Sequence, residues 1–128
     1  MKSALIAGYL PNLFELMVAA MREEIAGIRE HPGTAQFATD DGKLFTLFEL
    51  SVADMEEEYQ LGPYERSDGG GKLDTQGLFA CYAECRWEEL LSHIAMLLAD
   101  KLGTNLWVLD GDSIAWPAKE IDVNKIAL

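Results

Sequence analysis

The sequence predicts a single α+β domain over residues 1–128, with a mixed, mostly antiparallel sheet and two long helices packed on one of its faces. Three observations predict it. Two stretches, residues 13–28 and 87–102, repeat apolar side chains at three- and four-residue steps, the period of an amphipathic helix. Shorter stretches alternate with period two, as strand residues do. The elements also follow one another as strand, long helix, strand, acidic segment, strand, long helix and hairpin, an order that builds two strand-helix-strand units.

Ser3 to Tyr9 is short and apolar, and Pro11-Asn12 follows it, which suits a buried first strand. Leu13, Leu16, Met17, Ala20, Met21, Ile25 and Ile28 then mark one helix face, with Asn12 as its N-cap and Pro32-Gly33 as its end. Asp40-Asp41-Gly42 reads as a turn before a strand over Lys43 to Leu50, which is apolar on both faces and therefore central or covered on both sides. Ser51 is placed to cap a short acidic helix over Val52 to Tyr59, closed by Gly62-Pro63. Ser67 to Lys72 reads as a surface loop, and Leu78 to Cys85 as a strand. Trp87 to Leu102 carries the widest apolar stripe (Leu90, Leu91, Ile94, Leu97, Leu98 and Leu102), with Gly103 as its stop. Leu106 to Leu109, Asp110-Gly111-Asp112 and Ser113 to Trp116 form a hairpin, and Pro117 bars its return strand from a central position. Ile121, Val123, Ile126 and Leu128 should dock a short tail onto the body.

A chain of 128 residues with 49% apolar residues can bury a core without disulfide or metal support. Its charge is less ordinary. Ten Lys and Arg against 22 Asp and Glu leave −12, beyond the magnitude of about 2–8 that keeps a small domain soluble. Such a field repels nucleic-acid backbones and anionic membranes and steers basic partners inward. Lys2 stands alone at the start, and Pro11 and Glu15 interrupt the apolar run that a cleaved signal or a membrane span needs, so the expected location is cytoplasmic. Cys81 and Cys85 lie about 13 Å apart in an extended strand at roughly 3.3 Å per residue, too far for a disulfide, and read as buried thiols.

Chemical motifs are scarce. Asp110-Gly111-Asp112 fails as an EF-hand, since Ile121 occupies the twelfth position where a glutamate is needed, and reads as a hairpin turn. Gly69-Gly70-Gly71-Lys72 fails as a phosphate loop, because Leu73 stands where a hydroxyl should meet magnesium. His31 and His93 have no ligand partner at metal spacing in their own elements. Glu88 and Glu89 sit where a helix N-terminus favours carboxylates. No cofactor and no metal is expected. The acidic group Asp54, Glu56, Glu57 and Glu58 stands apart: no Lys or Arg lies between Lys43 and Arg66, so local ion pairing cannot balance it. Asp40, Asp41, Glu49, Glu65 and Asp68 extend the same stretch, and Tyr59 and Tyr64 border it as candidate aromatic anchors. Trp107 and Trp116 flank the hairpin and fit either the core or an interface.

From Trp87 onward, an apolar helix ending at Leu102-Gly103 leads into Leu106-Trp107-Val108-Leu109-Asp110-Gly111-Asp112, then Trp116-Pro117-Ala118 and a terminal Ile126-Ala127-Leu128. This order resembles small acidic immunity proteins encoded beside secreted bacterial toxins. The resemblance covers the last third of the chain and implies a cytoplasmic inhibitor, not an enzyme, that blocks the active site or substrate groove of a basic toxin domain. It carries over no catalytic or contact residue. With the charge, it makes Asp54, Glu56, Glu57, Glu58, Tyr59 and Tyr64 the expected partner-binding residues. Two other readings compete: a small enzyme or ligand-binding domain with a pocket between sheet and helices, using Cys81, His93 and Glu84, and a subunit that assembles into a homodimer or larger homo-oligomer.

Overall fold

The computed structural model of this chain describes residues 2–51 and 63–128. The acidic helix expected over Val52 to Tyr59, and the glycine expected to close it, lie outside the described residues. Strand β1 (Ser3–Gly8) leads into helix α1 (Leu13–Glu24), which is followed by β2 (Arg29–His31), β3 (Thr34–Ala38) and β4 (Leu44–Glu49). After the acidic segment come β5 (Glu65–Arg66), β6 (Phe79–Cys85), helix α2 (Glu88–Leu102), β7 (Trp107–Leu109) and β8 (Ile114–Pro117). The strands form one sheet in the order β2-β3-β4-β6-β1-β7-β8-β5. Neighbours run antiparallel throughout except β5, which lies parallel to β8. The predicted α+β architecture is therefore the observed one.

Strand alternation divides the core in two. On one face Ala4 and Ile6 of β1, Phe45 and Leu47 of β4, Cys81, Ala83 and Cys85 of β6, and Val108 of β7 pack against Met17 and Met21 of α1 and Leu91, Ile94 and Leu98 of α2. Both helices thus cover the same face. The intervening residues Leu5, Ala7, Ala80, Trp107, Leu109 and Ala115 face the other way and are closed over by Leu73 and Leu78, with Leu50, Tyr64 and Tyr82 packed at the margin. Toward β2 this second face turns polar: register aligns Arg29, Gln36, Thr46, Glu84 and Ser3 in one row across five strands, and Gln36 Nε2 donates to Thr46 Oγ1 at 2.8 Å.

The first helix is shorter than its apolar spacing predicts. It ends at Glu24, and Ile25 is already extended, with φ −121° and ψ 116°. Gly27 takes φ 76°, which turns the chain so that residues 29–31 form β2 instead of a fourth helical turn. Ile25 and Ile28 still pack against the core, but from a turn. Pro32-Gly33 is accordingly a hairpin corner between β2 and β3, His31 pairing with Thr34 and Gly33 taking φ 75°. Strand β3, not expected from the apolar periodicity, alternates buried Ala35 and Phe37 with half-buried Thr34 and Gln36. Asn12 does hold the N-cap position of α1, yet its side chain makes no capping hydrogen bond. Trp87 caps α2 without a side-chain bond as well, and Gly103 ends that helix in the left-handed region at φ 62°, its N–H reaching Ala99 O and Asp100 O. The Ser67–Lys72 loop is tied down on both sides: β5 pairs with β8, Glu65 bridges Lys72, and Asp68 caps the turn through Gly70 N–H. Among the described residues no helix is long and apolar enough to cross a membrane.

Candidate functional site

Of the six expected partner-binding residues, Asp54, Glu56, Glu57, Glu58 and Tyr59 lie outside the described residues. Tyr64 is described. It is half-buried and packs against the second-face core, so part of its side chain already braces the sheet. Burial, followed by the negative charge of Asp110, raises its hydroxyl above the ordinary tyrosine value.

The flanks of the acidic segment show how little positive charge is left over. Lys2, Arg22, Lys43, Arg66, Lys101, Lys119 and Lys125 already hold carboxylate partners. Asp41 and Asp68, from the acid-rich stretch, are spent this way. The Thr39 hydroxyl and then Lys43 hold Asp41 low, while Arg66 and the Gly70 N–H hold Asp68 low. Among the described residues Glu49 has no cation partner. It stands at the end of β4, three positions before Val52, and meets Glu15 of α1. Partial burial, then the hydrogen bond and charge of Glu15, raise its carboxyl above the usual glutamate value. Two acidic side chains brought together in this way mark a local excess of negative field. Glu65, on the far side of the segment, is exposed.

The three groups of the competing enzymatic reading do not meet. Cys81 lies under the helices, where burial and then the charges of Glu49 and Glu15 push its thiol far above the reactive range. Glu84 is separated from it by strand alternation and projects from the opposite face beside Thr46. His93 is on the exposed side of α2, in a shallow hollow of about 350 Å³ with Glu24, Met96 and Lys101. Cys85 donates to Trp87 O at 3.4 Å and is buried, so both thiols are structural.

Two features that the periodic pattern did not reveal come from long-range contacts. Arg66 lies over the Trp107 ring at 4.9 Å while forming a two-pronged ion pair with Asp68, and this stack lines a hollow of about 260 Å³ with Thr104, Asn105, Lys119 and Glu120. Its charged lining contains both signs, Arg66 and Lys119 against Asp68 and Glu120, and so selects no ligand charge. The second is Asp110, buried at 6% exposure and hydrogen-bonded by four N–H groups. Its role is therefore structural, as the Asp-Gly turn signal implied. Among the described residues no group of three His, Cys, Asp or Glu is placed to hold a metal ion.

Fold and surface together define a small α+β domain with a strongly acidic exterior. No protein-family model matches the chain, and no curated protein and no solved structure matches it.

Proposed function

We propose that this chain is an acidic binding protein that acts as an immunity protein, inhibiting a basic bacterial toxin in the cytoplasm by covering its active site or substrate groove. The observation that carries the reading is the charge: −12 on 128 residues, with seven of the ten cations engaged by carboxylates among the described residues alone. The acids left over form a surface that attracts a basic protein and repels nucleic acid. Asp54, Glu56, Glu57 and Glu58 steer the encounter, Glu49 and Glu65 extend their field at either end, and Tyr59 and Tyr64 anchor the contact. The burial of Cys81, with its thiol pushed up, and its separation from Glu84 on the opposite sheet face and from His93 on the exposed side of α2 favour this reading over the enzymatic one.

The test is capture on the immobilised chain from lysate of its native cells, followed by elution in a salt gradient and assay of the eluted protein's activity with and without this chain. Stoichiometric loss of that activity is expected, together with an association rate that falls steeply as salt rises. A captured protein whose activity is unchanged by this chain would defeat the inhibitor reading. Changing Asp54, Glu56, Glu57 and Glu58 to Lys should slow association while leaving the fold intact; an unchanged rate removes those residues from the contact.

A further inference from the structure

Residues 118–128 belong to no strand or helix, yet they are fastened to the body of the domain. Their attachments are few. Ala118 N–H reaches Leu106 O at 2.9 Å, beside β7. Beyond it, Ile126 is buried in the helix-side core with Ile121 and Leu128 packed at the margin, and Lys119 forms an exposed ion pair with Asp100 at 2.6 Å. Glu120 N–H reaches back across Ala118 to Pro117 O of β8 at 2.9 Å. The remaining hydrogen bonds to the body among the described residues converge on one turn: Ala127 N–H donates to Asp110 Oδ2 at 3.2 Å, and Gly111 N–H donates to Ala127 O at 2.8 Å. Other bonds of the segment are internal, such as those from Lys125 and Ile126 N–H to Asp122 O.

The Asp110 carboxylate ties this segment to the hairpin. Oδ1 accepts from Asp112 N–H at 2.9 Å and Ile114 N–H at 3.0 Å, which shapes the β7–β8 turn. Oδ2 accepts from Trp116 Nε1 at 2.8 Å and from Ala127 N–H, so one oxygen holds both the indole and the tail. We propose that residues 119–128 are a strap that opens as a unit about Ala118, with the Asp110 carboxylate as its clasp. No ladder bond of the sheet runs through the strap, so its release leaves β1 to β8 paired. A segment held, beyond the short-range bond from Glu120 to Pro117, by a small apolar anchor, one exposed ion pair and two hydrogen bonds sits at the low end of a protein's local stability. Opening uncovers Trp116 and the seat of Ile126, an aromatic and apolar surface hidden in the closed form. It also removes one wall of the hollow beside Trp107, because Lys119 and Glu120 line that hollow.

Native-state amide hydrogen exchange on the full chain tests the strap. In the wild type, the Gly111 and Ala127 amides should exchange through an opening of lower free energy than the amides of β1, β4 and β6. Asp110→Asn replaces one accepting oxygen with a donor, so an N–H pair of the clasp faces another N–H whichever way the amide turns. Gly111 and Ala127 should then exchange roughly ten- to hundredfold faster, the penalty for stranding buried donors, while the β1, β4 and β6 amides keep their protection relative to global unfolding. Ile126→Ala leaves the carboxylate in place and should also speed exchange at Gly111 and Ala127, which keeps the comparison available if the Asn variant does not fold. Strap and sheet amides exchanging with one common free energy in the wild type would overturn the proposal. So would uniform acceleration of all amides in Ile126→Ala.

Discussion

Phe45 is fully buried on the helix face and stacks against Phe37, with ring centroids 5.6 Å apart. Phe45→Ala is expected to cost about 3–5 kcal/mol, read from the urea midpoint, because the sheet holds the surrounding backbone in place and the void cannot collapse. A loss below about 1 kcal/mol would mean that the helices repack over the gap. Glu49 acts in the opposite sense. Its carboxyl titrates higher in the folded chain than in the unfolded one, so the folded state binds more protons in the window just above the ordinary glutamate value, and stability falls as pH rises through it. Glu49→Gln should therefore raise Tm at neutral pH, and the gain should vanish in acid, where the wild-type carboxyl is protonated too. A neutral-pH Tm that stays level or drops would show that the meeting with Glu15 carries no penalty. Glu30, Asp41, Asp68 and Glu88 are held low by their hydrogen-bonding partners, so their contribution is present above the ordinary carboxylate value and is lost as pH falls through the depressed one. Glu30, Asp41 and Asp68 are exposed and Glu88 is only half-buried, so solvent keeps each contribution small. Cys81, with its raised thiol, should resist iodoacetamide at neutral pH while the chain is folded and react once it is denatured.

At the scale of elements, the two helices illustrate how a stop signal works. Gly103 ends α2 where the apolar stripe ends, and nothing lies within 4 Å of where its Cβ would be, so Gly103→Ala should cost only the left-handed backbone strain, about 1–2 kcal/mol in thermal or urea unfolding. A cost near zero would show that the last turn unwinds and relieves the strain. Helix α1 stops earlier than its pattern, because Gly27 lets the chain turn and because Arg29–His31 gain a ladder with β3 that a further helical turn could not offer. Ile25 and Ile28 kept the helical spacing by coincidence of packing. Strand β3 was legible afterwards in Ala35 and Phe37, but as five residues behind a Pro-Gly turn it was masked by the reading of that turn as a helix end.

For the whole molecule, the surplus of carboxylates should oppose folding when salt is scarce. Raising ionic strength from about 0.01 to 0.15 M shortens the screening length from about 30 to 8 Å. Tm should therefore rise over that range, since long-range self-repulsion is screened while the ion pairs, in direct contact, lose less. A fall would mean that pairs such as Lys2–Glu88, at 2.5 Å, outweigh the repulsion. The same screening should slow association with a basic partner, so salt is expected to act with opposite sign on stability and on binding rate.

By itself the sequence determined the α+β class, the strands β1, β4, β6 and the hairpin, the second helix with its stop, the turn at Asp110 and the burial of both thiols. Each of these follows from a period or a turn chemistry that acts within a few residues, and the acidic surplus follows from composition alone. Only the tertiary structure decided where α1 ends, that Glu65–Arg66 adds a parallel edge to β8, and that Cys81, His93 and Glu84 face three different surroundings. It also decided that Arg66 stacks on Trp107 and that Asp110 holds Ala127, 17 positions along the chain. Such contacts join residues whose local patterns carry no record of one another. A buried carboxylate takes whatever donors the fold brings to it, and no periodicity specifies which those are.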